Sequence, residues 1–498
     1  MIKCLRDSSF IRIIRRMKTY ILIPFFLLFL LSCSKSIPEK PYSHIVTSSQ
    51  FAVSVQAHCD ALIQPSTRGL YPGSPYYTSA TAYITSKFQS YGLLPAHTEY
   101  AQPFEFVSRS LISEPVVMIN NEDLLTIGTD FIVPLTSGKA LLENIPMVFI
   151  GYGIAEPQDK YNEYSNIDVK NKVVVVLKDI PKGFIASSGK YHSLYYRAFL
   201  AKNYGALGII FIDLNAPTAY YSKNTAYVPP LFGLSDFPQI ILAKNAIGKL
   251  TQSSTIDFIE MQNDIVASKQ PYTIELKTSI TMSIPMNIEQ NTTANIVGFL
   301  PAAEEFSETK KRIYFTASLD SFGFQYTDIF YESANTTVSG VAALLSLAEE
   351  LSKQSLARKN DIYFVVFSGK EEGLLGCREL LEKGEITQDN TLFMIQIENI
   401  GIQSSLLNIG GGLDYLELFQ RFEENNTFSE LELTVSHGGY MEDQLFIKKG
   451  IPALFVHSPD FTFYRTLKDT RNTINTNSVR KTVQLLYGAF FNDIFSIN

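Results

Sequence analysis

Asp320, Lys370, Glu371, Glu372 and Glu398 are the residues of this 498-residue chain whose types and spacing best suit chemistry. Each follows a short apolar run that reads as a strand: Arg312 to Ala317, Asp361 to Phe367 and Leu392 to Ile397. Carboxylates gathered in such loops can hold a divalent cation, take a proton from a water, or meet an amino group. In sheets built of alternating strands and helices, ligands are bound beyond the carboxyl ends of the strands, so the post-strand loops are where chemistry is expected. His437, in the glycine loop "SHGGY", and His457, after the run "IPALFV", are further candidate ligands. Glu442 and Asp443 near His437 offer at most a weak site for some other metal. The plainer reading makes His457 a hydrogen-bonded core residue and His437 a polar turn residue. No Gly-x-Ser-x-Gly and no cysteine and histidine pair marks a nucleophile.

The elements that must position these loops form an α/β pattern beyond Pro285. Strands are expected at Asn295 to Phe299, at the three runs above, and at Ile451 to Val456, with helices at Ser339 to Leu351 and Ser478 to Phe495. This alternation predicts a mostly parallel mixed sheet with helices on both faces. Helical spacing also covers Ser48 to Ile63 and Tyr77 to Tyr91, separated by a loop that includes Arg68, Gly69, Pro72 and Gly73. Around Leu141 the character changes. Short β-branched and aromatic runs, such as Met147 to Gly151, Lys172 to Leu177 and Ala206 to Ile212, predict a β-rich insert with no convergent set of ligands.

Seven strings occur in order over the C-terminal part: "NTTANIVGFLP", "RIYFTASLDS", "SANTTVSGVAALLSLAEEL", "IYFVVFSGKEEGLLG", "MIQIENIG", "FIKKGIPALF" and "YRTLKDT". In order and spacing they resemble the zinc aminopeptidases, metallopeptidase family twenty-eight. "GYGI", "DVKNKVVVV" and "GALGIIF" resemble a protease-associated domain, a β-rich module often inserted in that family. The resemblance implies a zinc-exopeptidase-like α/β fold divided as follows: 1–33 a signal peptide, 34–47 a tether, 48–140 and 286–498 the two parts of the peptidase-like domain, and 141–285 the insert.

That family uses two zinc ions bridged by an aspartate and a water, with a glutamate as general base. Carried over position by position, the resemblance puts Ser318 where a histidine ligand stands and leaves Asp320 as the aspartate behind it. Thr336 falls on the bridging aspartate, Lys370 on the general base, Glu371 and Glu398 on one remnant ligand of each zinc, and Arg465 on the last histidine. A neutral hydroxyl cannot hold two dications together, and a zinc site normally takes at least three protein ligands. The resemblance therefore implies a peptidase fold without its chemistry and with no cofactor; the alternative is a metallo-aminopeptidase that keeps zinc through atypical ligands. Lys370 and Arg465 are expected either to pair with Asp320, Glu371 and Glu398, replacing metal by fixed cations, or to face solvent.

Composition frames the setting. Residues are 46% apolar and 18% charged, with a net charge of -7 spread along the chain, which speaks against nucleic acid as a partner. Arg15, Arg16 and Lys18 precede an apolar run from Tyr20 to Leu31 that suits an export signal and is too short to span a bilayer comfortably. Leu30-Leu31-Ser32-Cys33 resembles a bacterial lipoprotein signal, with Cys33 the lipidated residue. The expectation is a protein anchored by lipid to the cell envelope, at the outer membrane facing the periplasm, whose partner is a peptide or another protein. Beyond Cys33, Cys59 and Cys377 are read as two buried thiols in preference to one disulfide.

Overall fold

The computed structural model describes residues 49–498 except 68, 135, 158–159, 182–183, 185–190, 217–233, 252–255, 322, 326–328, 427–428, 465 and 497–498. The expected signal and tether, Cys33 and Arg465 lie outside the described residues.

Among the described residues, nine strands build the larger sheet, in the order Leu94–Pro95, Met286–Leu300, Asp361–Phe367, Arg312–Ser318, Thr391–Ile397, Ala453–His457, Leu406–Gly410 and Glu432–Ser436, with Ala101–Leu111 also paired to Met286–Leu300. The central strands 361–367, 312–318, 391–397 and 453–457 run parallel, so their carboxyl ends open on one side. The flanks are antiparallel, as at 286–300 against 361–367 and at 406–410 against 453–457, which makes the sheet mixed. Alternation along one strand shows how both faces are covered. Tyr314 packs its ring 5.8 Å from Phe446, on the helix Asp443–Lys448, while its neighbour Phe315 meets Phe490, on the helix Thr476–Ile494, at 6.0 Å. The helix Ser339–Ser352 lies between the sheet and other helices and buries nearly every side chain, in keeping with its all-round apolar sequence. Each strand and helix expected beyond Pro285 is present, and all but one lie within a few residues of their predicted limits; the strand expected at Asn295 to Phe299 is longer, Met286–Leu300, because its first half pairs with Ala101–Leu111.

The described residues of the insert form an eight-stranded sheet, ordered Asp123–Leu124, Val116–Ile119, Ile274–Ile284, Ala140–Phe149, Val173–Leu177, Gly208–Asp213, Gln239–Ala243 and Phe131–Ile132. Its N-terminal limit differs from the boundary expected at 141, because strands at 116–119, 123–124 and 131–132 hydrogen-bond within this sheet. The insert thus runs from about 112 to 285. Its two ends meet: Ala101–Leu111 and Met286–Leu300 pair antiparallel from Leu111 opposite Met286 onward, and the Ile112 amide donates to the Pro285 carbonyl at 3.0 Å. The run Val173–Leu177 is buried throughout. Val173, Val175 and Leu177 enter one apolar cluster and Val174 and Val176 the other, as a strand covered on both faces requires. Tyr331, from the loop after Arg312–Ser318, is buried in the second of these clusters and joins the two sheets.

Two buried groups hold the strand ends of the insert. The Arg197 guanidinium, on the helix Leu194–Asn203, donates to the carbonyls of Tyr152 (3.0 Å), Leu177 (2.7 Å) and Lys178 (2.5 Å) and stacks over Phe211. Glu163 accepts from the amides of Tyr152 and Ile154 and from the Tyr161 hydroxyl. Burial pushes its carboxyl up from 4.5 to about 7, against the pull of those hydrogen bonds and of Arg197. Cys59 and Cys377 are both buried, and neither forms a disulfide.

Candidate functional site

The loops beyond the parallel strands bring Asp320, Lys370, Glu371, Glu372, Glu398 and Glu442 together, all of them buried. Asp320 follows Arg312–Ser318 and its Oδ2 accepts from the Glu371 amide at 3.1 Å. Lys370, Glu371 and Glu372 follow Asp361–Phe367 in a tight turn. Leu374 at the end of that turn adopts a left-handed φ of 61°, as do Ser333 (53°) and Asn399 (53°) in two neighbouring loops. Side chains with a Cβ resist this conformation, at a cost of about 1–3 kcal/mol each, so the surrounding packing fixes these loops. Glu398 follows Thr391–Ile397. Its position depends on how closely the helix Ser339–Ser352 meets the strand end: a Cβ on Gly340 would lie 2.2 Å from the Ile397 carbonyl oxygen. Gly340→Ala is expected to lower stability by about 1–3 kcal/mol through forced separation of that helix from the strand. Thermal unfolding measures this, and an unchanged midpoint would mean that the helix shifts freely.

At the centre, Lys370 Nζ stands 3.1 Å from Glu398 Oε1 and 3.7 Å from Glu371 Oε1, with the side chains 0%, 1% and 1% exposed. The Tyr464 hydroxyl also reaches Glu398 Oε1, at 3.3 Å. Burial alone would lower the lysine pKa, but Glu398 and Glu371, followed by Tyr464 and Asp320, outweigh it and hold the ammonium well above its ordinary range. Burial raises Asp320, with Lys370 opposing and Glu371 adding to the rise. Burial also raises Glu372, reinforced by Asp320 and Glu371.

Ser318 ends its strand facing Glu442, donating from Oγ to Oε1 at 2.5 Å, and Gln396 Nε2 reaches the same Oγ at 3.4 Å. Glu442 is raised by burial first and by the charge of Glu398 second. Thr336 bonds to a different carboxylate. It sits in a π-helical turn, Ala334–Val338, whose amides at Asn335 and Thr336 donate to the Asp469 carboxylate at 2.7 and 2.9 Å; the Thr336 hydroxyl bonds to Asp469 as well. Single π turns inside helices often mark functional sites.

Asp320, Lys370, Glu371 and Glu398 therefore converge, Ser318 joins them through Glu442, and Thr336 faces Asp469. Glu442 belongs to this group and not with His437, whose exposed ring pairs with Asp414 at 2.7 Å. The weak site considered around His437, Glu442 and Asp443 does not form. Asp443 is taken up in its own turn by the amides of Gly439 and Met441. His457 is a core residue, bonded to Asn408 Nδ2 at 3.0 Å and to the Ser458 carbonyl at 2.8 Å. Among the described residues, no three or more His, Cys, Asp or Glu side chains are placed to hold one metal ion. Asp469 is the functional candidate that sequence alone did not single out, and Glu442, considered there only beside His437, has other partners here. Each is brought in by tertiary packing from a distant loop, and no local spacing marks it.

Residues 295–489 match the model of peptidase family M28. Over most of its length the chain is similar in structure to an aminopeptidase from Aneurinibacillus sp. strain AM-1, with 18% identity, 90% of this chain and 94% of that one covered, and a TM-score of 0.63. It is similar also to a zinc aminopeptidase from Bacillus subtilis, at 16% identity, 89% and 95% coverage and a TM-score of 0.61. A peptidase M28 precursor from Shewanella amazonensis SB2B aligns at 14% identity, 89% and 94% coverage and a TM-score of 0.58. At these identities the likeness shows the fold. No curated protein sequence matches the chain.

Proposed function

We propose that this chain, whose residues 295–489 belong to peptidase family M28, is an exported, lipid-anchored protein that uses an aminopeptidase fold without peptidase chemistry, as a binding or assembly component of the cell envelope. The observation that carries this reading is the buried contact of Lys370 with Glu398 and Glu371. Lys370 occupies the position that the resemblance assigns to the general base, and an ammonium held above its ordinary range has no lone pair with which to take a proton from water. Ser318 and Thr336 offer hydroxyls where the family pattern has a histidine and a bridging carboxylate.

Export and anchoring rest on the sequence before Cys33, and the insert, read as a protease-associated domain, supplies a surface for protein contacts. A peptide or a protein is the expected partner. The purified mature protein should carry no stoichiometric zinc and should leave aminoacyl reporter substrates intact. Turnover accompanied by stoichiometric zinc, and abolished by a chelator, would overturn the reading in favour of a metallo-aminopeptidase with atypical ligands.

A further inference from the structure

The zinc aminopeptidases that this fold resembles call for a pair of dications where these carboxylates gather, and the residues present do not fit such a pair. Thr336 is turned to Asp469, the Ser318 hydroxyl is spent on Glu442, and no three acidic or imidazole groups among the described residues point at one centre. Yet the acidic groups remain. Glu398 Oε2, Asp320 Oδ1 and Glu442 Oε2 are buried without a hydrogen-bond donor among the described residues. Buried carboxylates without a counter-charge cost several kcal/mol each, so each must either hold a proton, as burial favours for Asp320 and Glu442, or share a cation in the pocket. Lys370 Nζ is a cation built into this group, within 3.7 Å of Glu398 and Glu371 at once and with its side chain wholly removed from solvent.

We propose that the Lys370 ammonium is the resident cation of this site: it supplies from the protein's own chain the positive charge that metal supplies elsewhere in the fold, and it closes the position to divalent ions. This inference deepens the non-catalytic reading and rests on it only for the comparison with zinc enzymes; the pairing itself is a matter of charge and distance. Glu442 belongs to the same centre. It accepts from the Ser318 hydroxyl and feels both the charge of Glu398 and the opposing charge of the ammonium.

The experiment compares wild type, Lys370→Met and Lys370→Met/Glu398→Gln by thermal unfolding, after chelator treatment and with zinc chloride added back. Wild type should show the same midpoint in both conditions. Lys370→Met should lose several degrees or fail to accumulate in soluble form, because methionine keeps the length and removes the charge. Removing a negative charge alongside should restore a large part of the loss, or restore soluble protein. A double variant no more stable or soluble than Lys370→Met would overturn the pairing, as would a wild-type midpoint that rises with zinc. These outcomes separate from those of the functional reading: turnover of reporter substrates would sink that reading whatever the midpoints do, whereas a double variant without rescue would sink the pairing in a protein that still lacks activity.

Discussion

Arg197→Met is expected to destabilise the insert by roughly 3–5 kcal/mol, because it strands three buried carbonyl groups and exchanges a charge-assisted fork for an apolar stem. The carbonyls of Tyr152, Leu177 and Lys178 belong to two neighbouring strand ends, and one guanidinium holds them together above the ring of Phe211. Burial lowers the arginine to about 10, while Asp179, Tyr164 and Glu163 favour its charge, so it remains charged at neutral pH. Arg197→Lys should rescue little, since a single ammonium cannot span the three acceptors in a plane. Hydrogen exchange of the strands Val173–Leu177 and Gly208–Asp213 is the direct measurement. If these strands keep wild-type protection in Arg197→Met, the clamp is not what holds them.

Lowering the pH from about 8 to about 5 is expected to raise stability, by on the order of a few kcal/mol, against the usual experience that acid weakens a protein. The sign follows from Glu163, Asp320 and Glu442, each raised chiefly by burial. A carboxyl raised on folding is protonated in the native state at pH values where the unfolded chain has already lost that proton. Its stabilising share is whole below the unfolded value and disappears as pH rises through the folded one. For Glu163 that window runs from 4.5 to about 7. Glu349 acts in the opposite sense: the hydrogen bond with His58 foremost, then those from Lys353 and Ser54, hold its carboxyl well below the ordinary range. Its contribution is present above the unfolded value and fades in stronger acid. Being partly exposed, it counts for less. Thermal midpoints across this range test the balance, and Glu442→Gln should flatten the slope. A midpoint that falls steadily from pH 8 to pH 5 would contradict the account.

Much of this architecture was legible because its strands and helices are buried and strongly patterned. The runs at 361–367 and 391–397 and the helix at 339–352 carry their burial in their composition, and the acidic and basic residues directly after the strands can only enter the loops beyond them. The meeting of Lys370 with Glu371 and Glu398 follows from that placement. The early strands of the insert were less visible, being short, although a local sign was present. Asn120 and Asn121 both take positive φ between Val116–Ile119 and Asp123–Leu124, the turn that two consecutive asparagines favour in a hairpin. Glu442 could not have been placed from sequence, because its neighbour Ser318 lies 124 residues away. Its own surroundings, a glycine loop with His437 and Asp443 close in sequence, suggested a different and weaker grouping.

The bond between Ile112 and Pro285 also bears on how the chain assembles. While the intervening residues are unfolded, joining Ala101–Leu111 to Met286–Leu300 means closing a very long loop, whose entropy opposes the pairing. Once those residues have formed their own sheet, the two strands emerge side by side and in register, and closure costs little. The insert should therefore fold ahead of the ribbon that carries it, with Met286–Leu300 delivered to the larger sheet late. Variants that slow the insert would then slow the appearance of the whole native state, even where they leave its final stability unchanged.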